Sequence, residues 1–336
     1  MTGTLSRNRY LLSALAYLLV LSLAVLGAAL RAQAQEDPLP SWNDTNTKAA
    51  IVAFVEKVTS EGGKDFVPVA ERTAVFDMDG TLIPEKPAPA ALVPIFADLE
   101  KAIAENPALA EKPAIRALLE GNIEALAATG EEGINDLVLT LTDGKTTEDV
   151  LRDIPPLMRS TPNKKFEVPY MKAVYKPMVE LLVYLEANGF RTYICSGSPI
   201  LFTRAISQEM LGIPPDRVMG SNAGTKLAER NGKTVLVFDG RLEHLNDKEG
   251  KPVTINLALG IRPVFVGGNE GGHGDIAMMR WSRDRDGPSF QLLINHDDGV
   301  REFAYSEADN YSLDAARRFG FHVVSIRDDW KTIIGN

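Results

Sequence analysis

Two carboxylates separated by one residue, Asp77 and Asp79, follow the short apolar run Thr73-Ala74-Val75-Phe76 and precede Gly80-Thr81. A β-prone run that ends in acids and glycine reads as a buried strand whose carboxyl end opens into a loop. Once the chain leaves the pleat, acids at i and i+2 can both face one crevice. One can then attack as a nucleophile while the other moves protons. The pair would repel unless a cation sat beside it. Gly80 allows close backbone approach, so amides beyond the strand can bind an anion. Two further predicted strand ends carry polar loops: Ser196-Gly197-Ser198 after Arg191-Thr192-Tyr193-Ile194-Cys195, and Gly267-Gly268-Asn269, with Gly274-Asp275 beyond, after Pro263-Val264-Phe265-Val266.

The elements around these loops alternate. Helical spacing predicts helices over 48–58, 177–188, 199–211, 252–259 and 275–281, the second closed by Gly189 and the third by Gly212. Strands are expected at 73–76, 191–195, 263–266, 291–295 and 321–326. Two short ones, around Val218 and at 235–239, surround the turn Asn231-Gly232. Strands separated by helices imply an α/β fold: a Rossmann-like, mainly parallel sheet with helices on both faces. Residues 85–175 interrupt the alternation. They are rich in Ala, Leu and Glu, show no convincing strand, and include a helix cap at Thr146-Thr147-Glu148-Asp149, so they read as an inserted all-helical domain. In open parallel sheets ligands sit beyond the carboxyl ends of the strands, where the three polar loops converge.

At these residues the sequence resembles the haloacid-dehalogenase superfamily of phosphatases. Asp77-Met78-Asp79-Gly80-Thr81 matches the first family motif, and Ile194-Cys195-Ser196-Gly197 resembles the second. Lys251, opening a helix in Gly250-Lys251-Pro252, is placed like the third-motif lysine, and Gly268-Asn269 with Gly274-Asp275 resembles the fourth. The resemblance covers roughly 40–84 and 176–336. The long interval between the first two motifs is where members with a C1 cap carry helices, and the nearest branch is phosphoserine-phosphatase-like, including exported acid phosphatases and phosphorylcholine phosphatase. It implies a catalytic core at 35–84 and 176–336 and a helical cap at 85–175. It also implies a Mg²⁺-dependent phosphomonoesterase acting on a small phosphomonoester. Asp77 would be the nucleophile that becomes an aspartyl-phosphate, and Asp79 the acid and then the base. Met78, Asp79, Ser196, Gly197 and Lys251 would hold the phosphate, and Asp77, Asp79, Asn269 and Asp275 the metal.

The fourth motif departs from the common Gly-Asp-x-x-x-Asp: Asn269 stands at the first acid, and Asp275 follows six positions later. The charged metal ligand is therefore expected to be Asp275. Lys226, Lys233 and Lys248 compete with Lys251 as ordinary solvated lysines. His273 reads as a polar loop residue, and His296-Asp297-Asp298 as a hydrogen-bonding corner rather than a metal site. Two rivals use the same residues: a phosphomutase, and an exported phosphate-ester-binding protein without catalysis. Trp42 with Phe166, Tyr170 and Tyr175 could in principle cage a quaternary ammonium such as choline.

The 336 residues carry 36 Lys+Arg against 45 Asp+Glu, a formal net charge of −9. An acidic chain without a basic cluster is unsuited to a nucleic-acid backbone. One cysteine, Cys195, cannot form an intrachain disulfide, and 45% hydrophobic residues exclude disorder. Arg7 and Arg9, the apolar run 11–30 and Ala32-Gln33-Ala34 have the three parts of a secretory signal, with a mature start at Gln35. Export to the periplasm or medium is expected, and any membrane contact would come through residues 11–30 kept as an anchor.

Overall fold

The computed structural model describes residues 37–335, with 143 and 272 left out. The expected signal segment, 1–34, lies outside the described residues. Among those described, no helix is long and apolar enough to cross a membrane. The chain divides after Pro40, and Ser41–Asn336 forms a compact unit that holds the sheet, its helices and every motif above.

Strand β1 (Thr73–Phe76) is buried along its whole length, as expected for a run with apolar side chains to both faces. It lies inside a sheet of seven strands with β2 (Arg191–Pro199), β3 (Val218–Arg230), β4 (Lys233–His244), β5 (Phe265–Asn269), β6 (Phe290–Asn295) and β7 (His322–Ser325), in the order β4-β3-β2-β1-β5-β6-β7. All neighbours pair parallel except β3 and β4. The register sets Phe76 opposite Ile194 on one side and Gly267 on the other. Asp77, Ser196 and Asn269 therefore leave the sheet at nearly one level. Below them Val75, Cys195, Met219, Val266 and Leu293 pack with Ile255, Ile276 and Met279 as the core. Burial pushes the Cys195 thiol up to about 12, so it is an inert packing group.

Helix α1 (Asn46–Thr59) precedes β1. Between β1 and β2 come α2 (Leu92–Glu105), α3 (Pro113–Leu119), α4 (Ile123–Ala128), α5 (Gly130–Thr142), α6 (Thr147–Ser160) and α7 (Lys176–Ala187). The inserted helices have a core of their own built on Leu92, Ile95, Leu99, Ile115, Leu118 and Leu137. Helix α6 begins in a capping box: Thr146 Oγ1 accepts from the Asp149 N–H and Asp149 Oδ2 accepts from the Thr146 N–H. Helices α8 (Ile200–Leu211), α9 (Gly250–Leu259), α10 (Ile276–Arg283) and α11 (Tyr311–Phe319) follow in the sheet region.

Three expectations need correction. The strands around Val218 and 235–239 are parts of one long antiparallel ribbon, β3–β4, turning at Asn231-Gly232, both with positive φ. Its outer half is exposed on most positions, so the apolar alternation that marks a strand fades there. The inserted segment contains a two-residue strand pair, Pro162–Asn163 with Val168–Pro169, too short to leave a periodic signal. The last strand stops at Ser325, whose side chain accepts from the Asp328 N–H and turns Ile326–Asp329 into a helical turn. Helix α11 escapes the sequence pattern because its buried face is made of the small residues Ser312, Ala315 and Ala316.

Candidate active site

Five loops and helix starts meet in one crevice of about 390 Å³. The end of β1 supplies Asp77 and Asp79, the end of β2 Ser196, Gly197 and Ser198, and the end of β5 Asn269. The starts of α9 and α10 bring Lys251 and Asp275. Lys251 Nζ donates to Asp77 Oδ1 at 2.7 Å and to Asp275 Oδ1 at 2.5 Å. A helix N-terminus is a poor place for a cation, and these two carboxylates are what hold it there. Asp275 Oδ2 accepts the Asn269 N–H at 2.9 Å. That bond is allowed by Gly268, where an added Cβ would meet Asp275 at 2.6 Å.

Asp79 is held from the second strand: Ser198 Oγ donates to its Oδ2 at 2.8 Å, and the Ser198 N–H donates to Ser196 Oγ at 3.0 Å. Its other oxygen, Oδ1, is buried without a hydrogen-bond partner. Thr81 Oγ1 donates to Asp77 Oδ2 at 3.3 Å. Gly80 has φ +78°, and an added Cβ there would lie 2.1 Å from Asn269 Nδ2, so only glycine lets the first loop and Asn269 approach. Its carbonyl is bonded by His296 Nε2 at 2.9 Å; His296 Nδ1 meets Glu302 at 3.0 Å, and Tyr175 Oη donates to Glu302. Tyr305 stacks on His296 with centroids 4.2 Å apart. His296 is thus the hydrogen-bonding corner that fixes the Asp-x-Asp-Gly loop from behind.

Burial dominates the electrostatics. It raises Asp77 to about 6 against the opposing pull of Lys251, and Asp79 to about 6 against the Ser198 hydrogen bond. Burial, then repulsion from Asp77, raises Asp275 to about 7. Glu85 is raised by burial too. Burial works against the charge of Lys251, but Asp275 and Asp77 outweigh it and hold the ammonium well above its ordinary value. Five acids line the crevice, Asp77, Asp79, Glu85, Asp247 and Asp275, against the single cation Lys251. A dianionic ester could not settle among so many carboxylates. The orphaned Asp79 oxygen and this surplus of oxygen donors fit a hard divalent cation such as Mg²⁺, which would be held among Asp77, Asp79 and Asn269.

The crevice gathers Asp77, Asp79, Ser196, Gly197, Lys251, Asn269 and Asp275. Met78 is different: its side chain is in the core and its N–H is bonded to Asp77. Asp275 already has one oxygen on Lys251 and the other on Asn269, so it reads as the lysine's anchor more than as the expected charged metal ligand. His273 is tied down: its N–H donates to Glu307 Oε1 at 2.9 Å and its ring meets Asp309 at 3.1 Å. Trp42 and Tyr175 are fully buried against Trp330, outside the crevice lining, so they form no ammonium cage. Sequence reasoning missed the grip of Ser198 on Asp79, and it missed Glu85, to which Asn269 Nδ2 donates at 3.4 Å. A second serine two residues after Ser196 was the one available sign.

The model of the haloacid dehalogenase-like hydrolases matches residues 74–280. No curated protein matches the chain in sequence. Among solved structures it is similar to a conserved functionally unknown protein from Anaerococcus prevotii DSM 20548, with 17% identity, 87% of this chain and 94% of that chain covered, and a TM-score of 0.55. It is also similar to a protein of unknown function from Bordetella pertussis Tohama I, with 15% identity, 76% and 99% covered, and a TM-score of 0.49. A phosphoserine phosphohydrolase-like protein from Francisella tularensis subsp. tularensis SCHU S4 follows with 15% identity, 75% and 94% covered, and a TM-score of 0.40.

Proposed function

We propose that this chain, which belongs to the haloacid dehalogenase-like hydrolases, is a Mg²⁺-dependent phosphomonoesterase of small phosphate esters. One observation carries the reading: a buried lysine joins Asp77 to Asp275 beside a second aspartate with a free buried oxygen. In this mechanism an Asp77 oxygen attacks phosphorus in line, forming an aspartyl-phosphate as the ester P–O bond breaks. Asp79, with a carboxyl near 6, gives its proton to the departing oxygen and then takes one from the water that cleaves the acyl phosphate. Ser196, whose oxygen accepts from Ser198, has its hydroxyl hydrogen left for a phosphoryl oxygen. Lys251 keeps Asp77 ionised and balances charge on the phosphoryl group. A bound Mg²⁺ would supply further neutralisation of nucleophile and phosphate.

In this reading residues 85–175 act as a cap over the core formed by 35–84 and 176–336. Residues 1–34 direct export, with 11–30 as an anchor where cleavage fails; the intact mass of the protein recovered from the producing cell tests this. For the activity, purified protein should release phosphate from p-nitrophenyl phosphate with Mg²⁺ and not with EDTA. Asp77→Asn should abolish release while leaving the circular dichroism spectrum unchanged. Release that survives this substitution would rule out the mechanism, and transfer between sugar positions without net hydrolysis would mark a mutase.

A further inference from the structure

A second cavity of about 260 Å³ adjoins the catalytic crevice, and the two share Ala91, Ile95 and Pro199. It lies among α2, α6, α8 and the β3–β4 ribbon, and its apolar lining includes Ile95, Ile154, Leu157, Ile200, Phe202 and Phe238. Ile95, Ile154, Phe202 and Phe238 are each less than a tenth exposed. The charged side chains on its lining are already paired: Asp98 is bonded by Lys145, also on the lining, at 2.6 Å, Asp153 by Arg152 at 2.8 Å, and Arg204 donates to backbone carbonyls. A cavity lined mainly by apolar side chains, with its charged groups already paired, takes hydrocarbon rather than charge.

The catalytic crevice sets a matching condition on the leaving group. With five acids and one lysine already committed to two of them, it offers nothing to a second anionic group on the substrate. On the side toward the cavity its lining is Pro89, Ala91, Leu92, Ile95 and Pro199. We infer that the substrates are phosphate monoesters of apolar alcohols, with the phosphoryl group at Asp77 and the hydrocarbon of the leaving group in the adjoining chamber. This rests on the phosphomonoesterase reading and narrows it to a substrate class. At about 30 Å³ for each water-sized group, the chamber accommodates roughly eight or nine non-hydrogen atoms.

The test is a series of n-alkyl phosphates from ethyl to decyl, assayed by phosphate release from the full chain with Mg²⁺. Matched n-alkylphosphonates, which cannot be hydrolysed, are measured for binding by calorimetry. Each buried methylene should raise kcat/KM by up to roughly fourfold, levelling off near eight or nine carbons, with phosphonate affinity following the same course. Leu236→Trp, at a chamber residue whose 42% exposure leaves room for a larger side chain, should flatten both series while leaving ethyl phosphate turnover unchanged. Leu157→Trp fills the chamber from the α6 side and should do the same. Ethyl phosphate turnover with no rise along the series would overturn the inference while leaving the phosphatase intact. If no ester is hydrolysed the phosphatase reading fails, and the phosphonate series still decides the chamber: affinity independent of chain length overturns it. Better turnover of phosphorylcholine or phosphoserine than of octyl phosphate would also overturn it.

Discussion

Removing the Lys251 ammonium, by Lys251→Met, separates the charge balance of the site from its shape. The side chain is 3% exposed and its nitrogen lies within hydrogen-bond reach of two carboxylates. Without it, Asp77 and Asp275, which share Lys251 as partner, are left close together with no cation between them. Breaking a buried ion pair by deleting one partner costs roughly 3–5 kcal/mol. Protonation limits the cost: holding a proton on one carboxyl requires about 1.4 kcal/mol for each pH unit above its unfolded value. From the ordinary 3.8 of aspartate that ceiling is roughly 6 kcal/mol at pH 8 but below 2 at pH 5. The native carboxyls set the sign. Asp77 near 6 and Asp275 near 7 are raised, so their contribution to stability is present below 3.8 and lost as pH rises through 6–7. Lys251 is raised as well, so its contribution persists across that window in the wild type and is missing from the variant. Urea unfolding in EDTA should therefore show the variant about 3–5 kcal/mol less stable at pH 8 and less than about 2 at pH 5. An equal loss at both pH values would mean that the lysine acts by packing alone, and the electrostatic account of the site would fall.

Ser198→Ala removes the hydrogen bond that lowers Asp79, so Asp79 should titrate higher. The alkaline limb of the pH–rate profile should move up, with activity down roughly tenfold; an unmoved limb would free Asp79 from the acid role. Asn269→Asp adds a carboxylate facing Glu85. Without metal the variant should lose about 1–3 kcal/mol, and its Mg²⁺ requirement for half-maximal activity should fall roughly tenfold. A thermal melt with and without Mg²⁺ reads the first effect and a Mg²⁺ titration of activity the second. A higher Mg²⁺ requirement would place the metal away from Asn269.

The parts of this fold legible in the sequence are those buried on both faces. Ala74-Val75-Phe76, Ile194-Cys195 and Phe265-Val266 are short apolar runs because the sheet is covered there, and each leads straight into a polar or glycine-containing loop at the site. The full length of the β3–β4 ribbon escaped, beyond the parts expected around Val218 and at 235–239, because its outer half leaves the core and neither face there needs apolar residues. Asp77 and Asp79 were legible because two acids one residue apart at a strand end are a recognisable pattern. Glu85, the grip of Ser198 on Asp79, and the Glu302 and Tyr175 partners of His296 were not, since their role exists only in the folded arrangement. Spacing also could not tell that Asp275 bonds Lys251 through one oxygen and the Asn269 N–H through the other. That is a matter of backbone direction and not of sequence distance.

Charge places the last constraint on the site. A chain at −9 would not draw in a phosphate ester by its overall field, and the crevice itself is still more one-sided, with five acids to one lysine. Burial answers part of this by raising Asp77, Asp79 and Asp275 into the range of 6 to 7, where they share protons with the solvent near neutrality. It cannot answer all of it, because the attacking carboxylate must be ionised to react. A site able to receive a dianion while keeping its nucleophile charged therefore needs a cation beyond Lys251, and its affinities for cation and ester must be linked so that each strengthens the other. The same arithmetic bears on the leaving group. Once the phosphoryl group has used the positive charge available, no second anion can follow it inward, and the adjoining cavity is lined mainly by apolar side chains.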